Sequence, residues 1–450
     1  GNMRTSRTPI HYHSAMLRTA LAIALVAASS ATVRAGEKSE FILSGPVDGN
    51  TGSSGQRTVA EALETINGAC LGPPLFFGPS ICSAAAVMDG GDVDGDSLDV
   101  RSDIVAQQLS AQADIQANTT DMSSPNVFVA RVLDRLTLLR AGGAAGDSSM
   151  FAGRLGVFAN ASGGFGDTDT NEGETGFTSD VANVTGGVDY RFTDYLTGGL
   201  TLGYTHSDFD LALNSGELNA DTYRIAPFIS VVPIENAYLD ALIGYARVDF
   251  DSIRLSNLVT NPFSPAGRIN ARAAEAEFSA NQFFTSLGAG YLFRREAWTV
   301  RPYARFEYVH LDVENYGETG NGGPNTIEGS LNLNVSAQNV SSVTSVLGAE
   351  AGYTFSTPLG VVTPRVRAEW VHEYRNSSRE IFAEFQGAIA AGISAPMRLS
   401  TAGPERNWAN LGFNLQMNLP YSVAGFVGYE TVIVEDSSNH VVLGGLRYEF

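Results

Sequence analysis

From about residue 150 to the end of the chain, side chains alternate in character with a period of two. The last residues show it most plainly. Val442, Gly444, Leu446, Tyr448 and Phe450 fall on one side, and Leu443, Gly445, Arg447 and Glu449 on the other. A single strand with one apolar side is ordinary in a soluble sandwich. Here the pattern recurs strand after strand, with no hydrophobic helix in the sequence to cover the apolar sides. A closed barrel in lipid meets both conditions, because acyl chains cover the outer face and the polar residues turn inward.

The alternation predicts which side chains share a face. Val184, Gly186, Val188, Tyr190 and Phe192 oppose Thr185, Gly187, Asp189 and Arg191. Trp298, Val300, Pro302, Ala304, Phe306 and Tyr308 oppose Arg301, Tyr303, Arg305 and Glu307, while Pro364, Val366, Ala368, Trp370 and Tyr374 oppose Arg365, Arg367 and Glu369. The predicted lumen-facing charges are therefore Asp189, Arg191, Arg301, Arg305, Glu307, Arg365, Arg367 and Glu369. Arg and Glu on one polar face suit a hydrated lumen with internal ion pairs, and aromatics near strand ends suit interfacial girdles.

About twelve such strands are expected, each at least the roughly 10 residues that a tilted membrane strand needs. They fall at 153–163, 179–192, 196–210, 219–232, 238–251, 277–293, 298–313, 341–356, 361–375, 404–419, 421–434 and 439–450. Every second connection is tight, as at 193–195, 233–237, 294–297, 357–360 and Pro420. Most of the others are long and rich in Gly, Asn, Ser and acid, as at 164–178, 252–276, 314–340 and 376–403. Short turns on one side and long loops on the other are the outer-membrane rule. Strand closure in lipid requires the last strand to pair with 153–163, since an open edge cannot lie in hydrocarbon.

The N-terminal third reads differently. Arg4, Arg7 and Arg18 precede and enter an apolar run, and Val33, Arg34 and Ala35 fit the small-residue rule for cleavage before Gly36. Residues 1–35 are thus expected to be a secretory signal starting at Met3 or Met16. Residues 36–122 are polar and without repeats, a short mixed or partly disordered region. Its Cys70 and Cys82 flank a turn-rich stretch and pair as a disulfide in an oxidising periplasm, with free thiols as the alternative. Ser124 and Pro125 open a helix that Gly142 and Gly143 stop. About 16 helical residues span roughly 24 Å, near the height of a barrel's apolar band. Arg131, Asp134 and Arg135 on that helix are placed to pair with lumen charges.

These parts together resemble the autotransporters, the monomeric type V secretion proteins, over about residues 125–450. The resemblance rests on the strand count, the loop alternation, the preceding helix and the aromatic strand ending Leu446, Arg447, Tyr448, Glu449 and Phe450. It implies an all-β translocator: an antiparallel, monomeric transmembrane β-barrel over 147–450, a linker helix through the pore over 123–146, and a passenger-like segment over 36–122. It also implies export or display of that segment, with Leu446, Tyr448 and Phe450 as the signal read by the barrel-assembly machinery. Periplasmic chaperones, outer-membrane lipid and lipopolysaccharide are the implied partners.

The residues bear on other functions as well. A channel plugged by its N-terminal helix is the alternative reading, and a surface hydrolase or adhesin the lesser one. The net charge of −20 speaks against nucleic acid. Gly95, Asp96, Ser97 and Leu98 spell the nucleophile block of the GDSL hydrolases, but 36–121 holds no His to act as base. Asp92, Asp94, Asp96 and Asp103 start like a calcium loop in which Ser97 stands where Gly is required; a solvated acidic turn is the competing reading. His206, His310 and His372 fall on the lipid-facing parity beside aromatics, as girdle residues do. No catalytic residue, metal or cofactor is expected.

Overall fold

A computed structural model of the chain describes Ala62, Thr65, Ile66, Ala69, Val129 and Val132, and most of 154–449. The gaps in the latter range are 170–175, 213–215, 257–271, 321–328, 359, 378, 402–404, 420–422 and 435–436. Cys70, Cys82, Arg131, Asp134, Arg135 and Phe450 lie outside the described residues, as do the GDSL and calcium-loop stretches.

The strands run in chain order as follows. The first five are β1 (Leu155–Thr168), β2 (Phe177–Thr193), β3 (Leu196–Leu211), β4 (Gly216–Ile234) and β5 (Ala237–Ser256). Next come β6 (Arg272–Tyr291) with its short continuation β7 (Phe293–Arg295), β8 (Trp298–Val313), β9 (Tyr316–Gly317) and β10 (Leu333–Val335). They are followed by β11 (Gln338–Tyr353) with its continuation β12 (Phe355–Thr357), β13 (Gly360–Glu373), β14 (Arg379–Phe385) and β15 (Met397–Thr401). The chain ends with β16 (Asn407–Leu419), β17 (Val423–Ile433) and β18 (Ser437–Glu449).

Twelve of these close one antiparallel barrel: β1 to β6, β8, β11, β13, β16, β17 and β18. Each pairs with its neighbours in sequence, and β18 pairs with β1 from Gly156 opposite Glu449 to Thr168 opposite Ser437. The short turns fall where expected. Two of them bend through left-handed residues, Asn236 at φ 68° and Glu296 at φ 56°. Asn tolerates that conformation; Glu is uncommon there.

At the long-loop end the strands outrun the sequence reading. β1 continues to Thr168, β4 begins at Gly216, and β5 and β6 extend to Ser256 and back to Arg272. Two long loops also carry structure of their own. The loop between β8 and β11 supplies β9 and β10, and the loop between β13 and β16 supplies β14 and β15. Together they form a second, four-stranded antiparallel sheet in the order β15, β14, β10, β9. A helical turn, α1 (Gln386–Ala390), follows β14.

Along each barrel strand exposed apolar residues alternate with buried ones. Val184, Val188, Phe192, Leu202, Leu287, Val366 and Phe413 point outward, as the period of two requires. On the inner face, aromatic rings lie flat over glycines of the adjacent strand: Phe158 on Gly187, Phe228 on Gly199, Phe284 on Gly244 and Tyr303 on Gly348. A Cβ at any of these glycines would lie under 3.0 Å from ring atoms. The glycine removes bulk where the ring of the paired strand must cross, so strand register and ring position fix each other. Gly244→Val is expected to overpack this contact by about 1–3 kcal/mol. The fraction of purified protein migrating as the compact, unheated band should fall along a urea series, and Gly244→Val with Phe284→Ala should recover part of it.

Candidate functional site

The lumen has two zones. Toward the short-turn end, one wall carries a charged network on β8, β11, β13, β16 and β17. Glu350 accepts from Arg301 at 3.0 Å and from Arg365 at 3.0 Å. Arg305 bonds Glu307 at 2.7 Å and Glu369 at 3.4 Å. Glu369 also accepts from Tyr303 Oη at 2.5 Å and Asn410 Nδ2 at 3.0 Å. Arg367 bonds Glu430 at 2.5 Å. Burial penalises each charge singly, so the wall is stable only as paired, hydrogen-bonded groups.

Six of the eight lumen residues proposed from sequence, Arg301, Arg305, Glu307, Arg365, Arg367 and Glu369, fall in this network. Asp189 is buried on β2, and Arg191, two residues on, is half-buried at the short-turn end. Glu350 and Glu430 were missed, although the parity of β11 and β17 marks both as inward. Leu446 is half-buried and Tyr448 exposed on the outer face of β18.

Toward the long-loop end the lumen is apolar, which the expectation of a hydrated, charged interior did not include. Phe177, Phe209, Leu211, Leu218, Phe250, Phe278, Leu311 and Val313 are buried and belong to one cluster. Phe250 stacks on Phe278 at 4.9 Å, and Phe278 on Tyr316 at 4.1 Å. The second sheet contributes Leu333, Val335, Ile381, Ala383, Phe385 and Met397 to the same cluster. So do Ala62, Ile66, Val129 and Val132, which are helical.

One buried ion pair fastens the second sheet to the barrel. Arg254, at the top of β5, meets Glu318 with Nε–Oε1 at 2.6 Å and Nη2–Oε2 at 2.5 Å. Their side chains are 3% and 2% exposed. Glu318 Oε2 also accepts from the Leu333 backbone N–H at 2.7 Å, Arg254 donates to Leu331 O at 3.1 Å, and Gln386 Nε2 donates to Glu318 O at 2.7 Å. Every polar atom of this carboxylate thus has a partner, as burial demands.

The histidines sit on the outer face near the long-loop end. His206 bonds Asp221 at 2.8 Å and Asp208 at 3.1 Å, His310 bonds Ser341 at 2.7 Å, and His372 bonds Asn407 at 2.9 Å. Each is held by its own strand or the next strand; His310 meets Asp312 at 3.2 Å through the ring nitrogen that does not face Ser341. Among the described residues no group of three or more His, Cys, Asp or Glu is arranged to hold a metal ion.

A closed twelve-stranded barrel, apolar outside, with a filled lumen and long loops at one end only, defines an outer-membrane β-barrel protein. Residues 157–430 match the family described as the autotransporter beta-domain. The chain belongs to that family; it is an outer-membrane translocator barrel of the type V secretion kind. Two extracellular serine proteases of Serratia marcescens are similar to it, at 22% identity over 352 residues and 23% over 347. Each match covers 76% of this chain and 31% of the relative, so the chain spans under a third of their length. Among solved structures, the translocator domain of the autotransporter NalP from Neisseria meningitidis shares the fold. It has a TM-score of 0.53 and 14% identity, covering 76% of this chain and 99% of that one.

Proposed function

We propose that this barrel exports its own N-terminal segment, residues 36–122, and keeps the following linker, 123–146, in its pore. The observation that carries this reading is the position of Val129 and Val132. Both are helical, both are buried, and both belong to the apolar cluster of the barrel's inner wall. Spaced by three, they lie on one stripe of a helix. On that helix Arg131 and Asp134 then fall off the stripe, Arg135 follows Val132 at its edge, and the three serve the polar side of the pore. Residues 1–35 act as the secretory signal. Cys70 and Cys82 form a small disulfide loop that the pore can pass. Periplasmic chaperones and the barrel-assembly machinery deliver the barrel, reading Leu446, Tyr448 and Phe450, and lipopolysaccharide surrounds its outer rim.

An epitope tag inserted after Gly36 tests the reading. On intact cells the tag is expected to bind antibody without permeabilisation. Labelling only after the outer membrane is opened, with the barrel folded, would leave a channel plugged by its N-terminal helix as the function.

A further inference from the structure

The export reading treats residues 36–122 as cargo on its way out. The structure gives part of that segment a destination. Ala62, Ile66 and Ala69 are spaced by four and three, so they form one stripe of a helix, with Thr65 off the stripe and exposed. Ala62 is 4% and Ile66 0% exposed, and Ala69 packs against them. Their cluster runs along the inner wall of the barrel, from Phe158, Phe228 and Leu242 to Phe250 and Phe278, and takes in apolar residues of the second sheet.

The wall is shaped for an occupant. Ala220, Ala246, Ala276 and Ala280 face inward on β4, β5 and β6, and Ala246 and Ala280 are 0% exposed. A methyl group on the wall of an open pore meets water. These do not: Ala246 lies between Arg224 and Gln282 of the paired strands, Ala280 between Val248 and Val313, and further apolar side chains share the lumen with them. The described elements that complete the filling are the second sheet and the helical residues Ala62, Ile66, Val129 and Val132.

We infer that the helix carrying Ala62, Ile66 and Ala69 docks in the apolar chamber of the barrel lumen, as a second helix beside the linker. Part of the exported segment is therefore held by its own barrel. The segment's partner is the apolar inner wall of the barrel, to which β4, β5 and β6 contribute. This rests on the export reading. It adds that residues 62–69 end in the barrel and not free on the cell surface.

Amide hydrogen exchange on the folded, full-length protein in detergent tests it, with migration of the unheated band as the control for barrel folding. A peptide covering 62–69 is expected to exchange on the order of a hundredfold more slowly than a free segment. Ile66→Asp is expected to abolish that protection, and Thr65→Asp, on the exposed side, to retain it. Ala246→Phe and, separately, Ala280→Phe fill the chamber from the wall, and at least one should release the peptide while the barrel still runs as the compact band. Exchange at the free-chain rate in the parent overturns the inference, as does protection that survives both wall variants. The tag after Gly36 reports export independently: tag exposed and peptide unprotected rejects the docking alone, whereas a tag unreachable on intact cells rejects the export.

Discussion

A chain shortened to end before Ser437 is expected to put no barrel into the outer membrane. Without β18, the edge of β17 that pairs with it and the edge of β1 that runs from Gly156 to Thr168 both lose every partner. In hydrocarbon each unpaired N–H or C=O costs several kcal/mol, and no water is present to replace the missing strand. The loss is therefore complete and not graded, and fractionation should find the truncated chain degraded or in the periplasm. A subtler pair of variants separates strand pairing from recognition. Tyr448→Ser with Phe450→Ser leaves the backbone of β18 able to pair, so a drop in insertion there reports the proposed assembly signal. His372→Ala, on the outer face beside Trp370 and Tyr374 and hydrogen-bonded to Asn407, should insert as the parent does. Equal insertion of the double Ser variant and the parent would remove these residues from the signal.

Glu318→Ala is expected to free the second sheet from the barrel while leaving the barrel intact. The substitution strands the Arg254 guanidinium, 3% exposed, without its carboxylate and removes the acceptor for the Leu333 N–H. Losing one partner of a buried ion pair costs about 3–5 kcal/mol. At about 1.4 kcal/mol per tenfold, the open state of the sheet gains about two to three and a half orders of magnitude in population. Trypsin cleavage after Arg398, an exposed residue of β15 whose guanidinium rests on Phe382 at 5.4 Å, reads that opening on folded protein. Cleavage should accelerate by a similar factor in Glu318→Ala. Arg254→Met combined with Glu318→Leu should return most of the protection, because an apolar pair of similar volume removes the stranded charge. An unchanged cleavage rate in Glu318→Ala would mean that the ion pair does not hold the sheet.

The barrel was readable because lipid imposes one rule on every strand. Val184, Val188, Trp298, Phe306 and Val366 all had to be apolar for the same reason, so the signal repeated twelve times. The inner face obeys no such single rule. Near the short-turn end it is ionic, and parity alone points to Arg301, Arg305, Arg365, Arg367 and Glu369, and by the same rule to Glu350 on β11 and Glu430 on β17. Near the long-loop end it is apolar. There Leu211 and Leu218 looked like parts of a loop, whereas they belong to a longer hairpin, Leu211 opposite Gly216 and Leu218 opposite Phe209, whose inner sides are covered. The second sheet was not legible at all. Its strands are two to seven residues long, and they come from loops separated by β11 and β13. No local period announces a pairing between Val335 and Ala383. The fit of Phe284 over Gly244 was hidden for a related reason: it depends on which residue lies across the strand boundary, which composition does not state.

The pairing of Gly156 with Glu449 also has a kinetic meaning. Contacts this remote in sequence are slow to form, because the chain loses its loop entropy before the pairing returns anything. Until β18 arrives, the growing sheet carries two bare edges, each able to zip onto the edge of another nascent copy. Correct closure is a first-order event, whose rate does not depend on how many copies are present. The wrong encounter is second-order and rises with their number. Overproduction should therefore tip the outcome toward intermolecular pairing, while any agent that shields one edge until the other comes within reach raises the yield without altering the finished fold.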